Sequence, residues 1–342
     1  MINNDLVIKM LPVLNGDCIS INFLGNDHNR HNIIIDGGFQ GTYLNTLKQE
    51  VERIKEGGEL IDLLVVTHTD QDHIGGIIKL IHDYGEEGLI KKVWYNSSSG
   101  DPNLDFSGMI SIKDGIKLRE LLLELELLED IQITNELDSL DLAGAKLSVV
   151  SPGNKELDRV IDEFEKFSSE ESMITLTESD HGFAVERLIE NKFNEGDQLY
   201  NASSIGLLIN LCGIKVLFLS DCVPSVIIKW LKEKGYSESN KLKVDYMSMP
   251  HHGSKRNIND EMISLIECEN FLISANGLNR YNLPHKESLA RVIYSSISSN
   301  PKFYFNYDNE VLRSIFTIQE IEDYNISCFY GGHSKNGLII TN

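Results

Sequence analysis

The run Ile61-Asp62-Leu63-Leu64-Val65-Val66 is nearly unbroken in its apolarity, and it ends abruptly in Thr67-His68-Thr69-Asp70-Gln71-Asp72-His73-Ile74-Gly75-Gly76. A short run that is apolar at successive positions is expected of a strand covered on both faces, which calls for a sheet with helices packed over it. Polar residues crowded just past the end of such a strand are where α/β proteins place their chemistry. His68, Asp70, Asp72 and His73 bring two imidazoles and two carboxylates into six residues. On a tight loop that spacing lets side chains converge on one or two cations. A single Asp at a helix start is an ordinary cap; four ligand-type residues together are not. Gly75 and Gly76 then allow close backbone approach where a helix begins.

The same pattern recurs along the chain. Asp36 follows Ile33-Ile34-Ile35, Asp221 follows Val216–Ser220, and His251-His252 follows Met247-Ser248-Met249-Pro250. His285 sits in an Asn- and Pro-containing loop after the apolar run Phe271–Ser274. Taken singly, Asp36 and Asp221 are turn formers and His285 is a loop histidine. Taken together, they are acids and imidazoles at the ends of successive strands, which a parallel or mixed sheet gathers at one edge. Further strands are expected at Leu6–Met10, Cys18–Phe23, Asn32–Ile35, Lys92–Tyr95, Lys146–Val150, Ser203–Leu211, Lys215–Leu219 and Val244–Met249. Helices are expected near Thr42–Lys55, Lys113–Leu128, Pro224–Lys234, Asp260–Ile266 and Glu287–Ile297.

The chain has 342 residues and 41% hydrophobic content, enough for a sizeable core. Its 31 Lys and Arg against 52 Asp and Glu leave a net charge of −21. That argues against a broad nucleic-acid-coating surface, but not against a local basic groove or a small anion held by metal. Five widely spaced cysteines without a C-x-x-C suggest neither a disulfide framework nor a zinc–thiolate site. No apolar stretch is long enough to span a bilayer, and no signal-type segment is evident. The expectation is a soluble cytoplasmic protein with no membrane association. Segment 153–200 differs from the rest, with 13 acidic and 5 basic residues. Leu157, Val160, Ile161, Phe164 and Phe167 fall there at helical spacing. It reads as an amphipathic helix packed on the body, with a lid or a partner-docking insertion as the sharper alternative. The chain is therefore expected to be one domain, 1–342, with an acidic insertion at about 153–200. His181, in that insertion, reads as a solvated loop residue.

These motifs resemble the metallo-β-lactamase-fold hydrolases, and specifically the ComEC-type branch with its stand-alone relatives. Leu14-Asn15-Gly16-Asp17-Cys18 and Ile34-Ile35-Asp36-Gly37-Gly38 are similar to that branch's opening motifs, and Thr67–Gly76 to its H-x-D-x-D-H-x-G-G loop. Asn201-Ala202-Ser203-Ser204, Phe218-Leu219-Ser220-Asp221, Pro250-His251-His252-Gly253-Ser254 and Asn279–His285 resemble the later ones in order. Asp70 stands where the wider superfamily has a second His, Ser220 where it prefers Gly, and His285 follows Pro284 instead of preceding it.

The resemblance implies an αββα four-layer sandwich, two mixed sheets flanked by helices. It also implies a hydrolytic centre with one or two divalent cations, Mn²⁺ or Zn²⁺ foremost and Mg²⁺ possible. His68 and Asp70 would face the first cation and Asp72 and His73 the second, with Asp221 between them. His285, or else His251, would complete the second site. Asp72, His251 and His252 would serve the catalytic steps, and Asp36, Asn201 and Ser203 would support the ligands. Lys255, Arg256 and Arg280 are candidate contacts to an anionic substrate. The expected activity is a phosphodiesterase or nuclease that acts through a hydroxide generated at the metal on DNA or a nucleotide. The alternatives are a lactone or thioester hydrolase on the same fold, and a partner-gated effector of a bacterial defence system whose protein partner docks on the acidic insertion. Tyr281 and Trp94-Tyr95 could stack on a base, although aromatic residues near strand ends usually belong to the core.

Overall fold

The computed structural model describes residues 5–96, 110–129, 131–166, 179–196, 198, 200–296, 300–331 and 337–341. One mixed sheet has six strands: β1 (Leu6–Met10), β2 (Ile19–Leu24), β3 (Arg30–Ile35), β4 (Ile61–Val66), β5 (Val93–Tyr95) and, closing it from the far end of the chain, β16 (Leu338–Thr341). Their spatial order is β16-β1-β2-β3-β4-β5. The meander of the first four is antiparallel, and β3, β4 and β5 run parallel.

The second sheet contains β6 (Leu140–Leu142), β7 (Ala145–Ser151), β8 (Gly206–Leu211), β9 (Ile214–Phe218), β11 (Tyr246–Ser248), β13 (Asn270–Ile273), β14 (Lys302–Phe305) and β15 (Ser327–Tyr330). Its order is β15-β14-β13-β11-β9-β8-β7-β6, antiparallel from β6 to β9 and parallel beyond. Two short strands, β10 (Leu242–Lys243) and β12 (Ile266–Glu267), pair separately.

The helices are α1 (Leu47–Glu56), α2 (Gln71–Tyr84), α3 (Ile110–Glu124), α4 (Asn154–Lys166), α5 (Val185–Ile189), α6 (Pro224–Glu233), α7 (Asp260–Ser264), α8 (Lys286–Ser295), α9 (Glu310–Arg313) and α10 (Ile318–Asp323). Most expected elements appear within a few residues of their expected bounds. The helix expected over Thr42–Lys55 is instead a 3-10 turn, Gln40–Asn45, followed by α1.

Three apolar layers explain the stacking. Ile8, Ile21, Ile33, Leu63 and Val65 of the first sheet meet Leu147, Leu207, Ile209, Val216 and Phe218 of the second. On the outer face of the first sheet, Ile34, Leu64 and Val66 pack against α1, α2 and α3. On the outer face of the second, Leu217, Met247, Phe271 and Phe303 pack against α6, α7 and α8. The result is the αββα sandwich. Strand β4 shows why its sequence is apolar but for Asp62: Leu63 and Val65 serve the inter-sheet core, Ile61, Leu64 and Val66 the helix-covered face, and all six residues are buried. Trp94 and Tyr95 of β5 are buried too, as core residues.

The parallel strands β3 and β4 of one sheet and β9, β11 and β13 of the other end at a common edge. Asp36 N–H donates to the Val65 carbonyl, Ile205 N–H to the Thr67 carbonyl, and His251 N–H to the Ser220 carbonyl. These bonds bring the ends of strands distant in sequence side by side. In the 153–200 stretch, Leu157 and Val160 of α4 are buried, in keeping with a helix on the body. Phe167 lies outside the described residues.

Candidate metal centre

Asp221, just beyond β9, is 1% exposed, and four imidazoles surround its carboxylate. His73 Nε2 and His252 Nε2 lie 3.3 and 3.5 Å from Oδ1. His68 Nε2 and His251 Nε2 lie 3.7 and 3.4 Å from Oδ2. Asp70 Oδ2 stands 3.6 Å from His68 Nε2, and Asp72 Oδ2 3.5 Å from His252 Nε2. Two donor groups therefore share one carboxylate, one group on each oxygen. His68, His73, His252 and Asp221 form a buried floor, while Asp70, Asp72 and His251 are partly exposed at the mouth.

The outward side of each ring shows which nitrogen faces the carboxylate as a lone pair. Thr67 Oγ1 donates to Asp36 Oδ2 at 2.7 Å, so it is an acceptor for His68 Nδ1 at 3.0 Å. His73 Nδ1 lies 2.8 Å from Asp36 Oδ2. Asn257 Nδ2 donates to the carbonyls of Asp221 and Cys222, which turns its Oδ1 toward His251 Nδ1 at 3.1 Å. His252 Nδ1 faces Asp17 Oδ1 at 3.5 Å. With the proton on Nδ1, the Nε2 atoms of His68 and His73 face the carboxylate as lone pairs, and the Nε2 atoms of His251 and His252 face it too. His73 Nε2 and His252 Nε2 are 3.3 Å apart.

Lone pairs so placed repel one another unless positive charge lies between them, and His68 Nε2 and Asp221 Oδ1 are buried without a hydrogen-bond partner. Both observations fit divalent cations. The titration behaviour points the same way. Burial alone would raise the Asp221 carboxyl, but the imidazoles of His251, His73 and His252 hold it well below the usual carboxylate range. Burial would lower His252, yet Asp221 and Asp17 carry it up to about 10. His73 is likewise raised, against burial, by Asp221 and Asp36. The box attracts positive charge, from protons or from metal.

Local backbone geometry holds these side chains. Asp36, Ser220, His251 and His252 all have φ between +43 and +58°, the left-handed region that non-glycine residues seldom enter. Four such residues at one site indicate strain maintained by the surrounding structure. Asp36, fully buried, also accepts from Thr67 N–H at 2.8 Å, so one carboxylate orients both His73 and, through Thr67, His68. The Asp17 loop reaches the same place because Gly16 has no side chain: a Cβ there would lie 2.1 Å from the Asp72 carbonyl oxygen.

The structure thus gathers His68, Asp70, Asp72, His73, Asp221, His251 and His252 around one point, with Asp36 behind them. His251 stands with His68 and Asp70 rather than with the second group. Asn201 Nδ2 lies 3.1 Å from His251 Nδ1, but Ser203 turns away and donates to the Tyr200 carbonyl. Its neighbour Ser204 touches the centre instead, and accepts from Asp221 N–H at 3.3 Å.

His285 lies outside both donor groups. Lys255 N–H donates to its Nδ1 at 3.3 Å, so the neutral ring carries its proton on Nε2 and presents a donor there, not a lone pair for a metal. Burial, with Lys255, His251 and His181 nearby, lowers it to about 4, and Nε2 is buried without a partner. Lys255 Nζ is 4.0 Å from Glu287. Arg256 is exposed, and Arg280 stacks on the exposed ring of Tyr281, its guanidinium 4.7 Å from the ring centre. His181 is held by the Pro284 carbonyl at 2.9 Å rather than solvated. The roles of Asp17, Thr67, Ser204 and Asn257 are not legible in the sequence: the first three stand inside quoted motifs without being singled out, and Asn257 lies outside all of them.

Residues 14–161 match the Metallo-beta-lactamase superfamily. The chain is 22% identical over 326 residues to the ComE operon protein 3 of Bacillus subtilis (strain 168), a match that covers 89% of this chain and 33% of that protein. It is 30% identical over 79 residues to the hydroxyacylglutathione hydrolase of Aliivibrio salmonicida (strain LFI1238), covering 23% of this chain and 27% of that one. The matches therefore span about a third or less of these curated relatives. Among solved structures, Igni18, a metallo hydrolase from Ignicoccus hospitalis, aligns over 98% of both chains at 11% identity and a TM-score of 0.39. Among the described residues no helix is long and apolar enough to cross a membrane. The match to the metallo-β-lactamase superfamily over residues 14–161 takes in the His68–His73 loop, and the His/Asp cluster it belongs to lies at the shared strand edge of an αββα sandwich.

Proposed function

We propose that this protein is a phosphodiesterase that cleaves a nucleotide or nucleic-acid phosphodiester with two divalent cations. The observation that carries the reading is the four-imidazole arrangement about Asp221, with two Nε2 atoms on each carboxylate oxygen. Paired sites that share a carboxylate suit in-line displacement at phosphorus, where attacking and leaving oxygens both need charge stabilisation. His68, Asp70 and His251 would hold one cation, His73, His252 and Asp72 the other, and Asp221 both. When bound, such cations acidify water and draw charge from phosphoryl oxygens. Carboxylate in place of the usual second His shifts the preference toward Mn²⁺ or Mg²⁺, while four imidazoles keep Zn²⁺ competitive.

The chain's own groups supply the remainder. Asp36 fixes the ring of His73 and, through Thr67, that of His68. Asp72, at the mouth, is placed to orient water. Lys255, whose N–H donates to the buried His285 ring, adds positive charge beside the centre. The test is hydrolysis of bis(p-nitrophenyl) phosphate, single-stranded DNA and duplex DNA by metal-stripped protein resupplied with Mn²⁺, Mg²⁺ or Zn²⁺. Metal-dependent cleavage that His68→Ala loses by a factor of about 100 or more is the expected result. Stoichiometric metal binding with no cleavage of any phosphodiester would overturn the reading.

A further inference from the structure

Ser220 holds a backbone conformation that suits glycine and strains a residue with a Cβ: its φ is +43°. It lies two residues past the end of β9 and directly before Asp221, the carboxylate that both donor groups share. Glycine would make the same turn without the strain. What serine adds is a hydroxyl, and the residue that carries it is only 6% exposed.

That hydroxyl stands among the groups behind the ligands. Its Oγ is 2.9 Å from Thr67 Oγ1, and 3.4 Å from both Asp36 Oδ2 and His73 Nδ1. The Thr67 hydroxyl proton goes to Asp36 Oδ2 at 2.7 Å, so Ser220 is the donor in the 2.9 Å bond. Its oxygen is then a second, longer acceptor for the His73 Nδ1 proton, beside the bond to Asp36 Oδ2 at 2.8 Å. All of this lies on the Nδ1 side of His73, away from the nitrogen that faces Asp221.

The two sheets meet in this contact. Asp36 follows β3, Thr67 and His68 follow β4, and His73 belongs to the first turn of α2, whereas Ser220 and Asp221 follow β9 of the second sheet. The apolar layer between the sheets is non-directional and does not by itself aim one carboxylate. A hydrogen bond has a direction, and this one ends a single residue from Asp221. The Ser220 carbonyl also accepts from His251 N–H at 2.6 Å, which ties the His251-His252 turn to the same residue.

We infer that Ser220 is a positioning residue: its hydroxyl, donated across the two sheets to Thr67, sets Asp221 against His68 and His73 at the spacing that divalent cations need. The assignment rests on the two-cation arrangement proposed above and not on the identity of the substrate.

Ser220→Ala and Ser220→Gly separate the hydroxyl from the backbone, since both remove the former and only Ser220→Gly relieves the strain. The full metal-stripped chain is titrated with Mn²⁺ and with Zn²⁺ by calorimetry, its visible spectrum is recorded with Co²⁺, and its stability without metal is measured in urea. Both variants are expected to bind about tenfold or more weakly than wild type and to shift the Co²⁺ bands. Without metal, Ser220→Gly is expected to unfold at higher urea than Ser220→Ala. Affinity then follows the hydroxyl while stability follows the backbone, a split that a merely structural residue does not produce. A wild-type Kd in Ser220→Gly would overturn the assignment, whatever Ser220→Ala does, because the backbone alone would then account for the residue. Should Ser220→Ala fail to fold, Ser220→Gly carries the test. Failure of the wild type to bind either metal defeats the two-cation reading and this assignment with it, whereas wild-type binding with an unchanged Kd in Ser220→Gly defeats the assignment alone.

Discussion

Asp36 illustrates how much a single side chain behind the ligands can govern. Its two oxygens accept from Thr67 N–H, Thr67 Oγ1 and His73 Nδ1, and it sits fully buried at φ +58°. Asn tolerates that backbone conformation, so Asp36→Asn keeps the shape and removes the charge. One of its two acceptor positions then becomes an NH₂ group, which opposes either Thr67 N–H or the His73 and Thr67 donors. Metal affinity is expected to fall about 10- to 100-fold with the fold retained, as measured by isothermal titration calorimetry with Mn²⁺ or Zn²⁺. An unchanged Kd would show that His73 holds its orientation without this carboxylate. Ser203 and His285 teach the complementary lesson. Each carries the right chemistry for its expected role, but one hydrogen bond per side chain, to the Tyr200 carbonyl and from Lys255 N–H, turns it to another.

At the scale of elements, α2 matters because its first turn carries Asp72 and His73. Its backbone lies directly on the Gly37-Gly38 turn: Gly76 N–H donates to the Gly38 carbonyl at 2.8 Å, and Gly37 N–H to the His73 carbonyl at 2.9 Å. A Cβ on Gly76 would fall 2.0 Å from the Gly37 carbonyl oxygen, a backbone atom that cannot rotate away. Gly76→Ala is expected to cost about 3 kcal/mol or more in urea denaturation, the upper end of overpacking effects. Gly41→Ala is the control, because a Cβ there meets nothing within 4 Å, and its effect is expected within about 0.5 kcal/mol. Equal stability of the two variants would mean that α2 can move off the turn at little cost.

Across the whole molecule, the described end of the acidic stretch is bound firmly to the body. Asp180 accepts from both Lys286 N–H and Glu287 N–H at 2.9 Å, at the start of α8. Lys286, 1% exposed, reaches Glu320 of α10 at 2.8 and 2.9 Å, and Glu320 accepts from Val185 N–H of α5 at 3.1 Å. Burial would raise the Glu320 carboxyl, but Lys286 and the Thr317 cap bring it below its ordinary 4.5. A depressed carboxyl contributes stability that is present above the unfolded value and is lost as pH falls through the folded one. Glu320→Gln leaves the buried ammonium without its counter-ion, at an expected cost of about 3–5 kcal/mol at pH 7. That difference should narrow as pH falls below about 4.5, when wild-type Glu320 takes up its own proton. Thermal melts of both proteins from pH 7 to 3 would check it, and a gap constant with pH would exclude an ionic origin.

The chain's local order determined a good deal. The apolar run Ile61–Val66 marked a strand buried on both faces, and the polar residues after it marked its end as the place for chemistry. Burial and ligand type are properties of a few adjacent side chains, and they can be read in one segment. So could the grouping of His68, Asp70, Asp72, His73 and Asp221, since each stands directly past a strand that a mixed sheet aligns. The tertiary structure alone decided how those groups divide. It placed His251 and His252 on opposite oxygens of Asp221, put Asp17 behind His252, and set Asn257 to fix a tautomer from 6 residues beyond His251. It also left His285 outside both donor groups. The reason is physical. Which nitrogen of an imidazole is free depends on the partner of the other, and that partner comes from a different strand, helix or turn that only the folded chain brings within 3–4 Å.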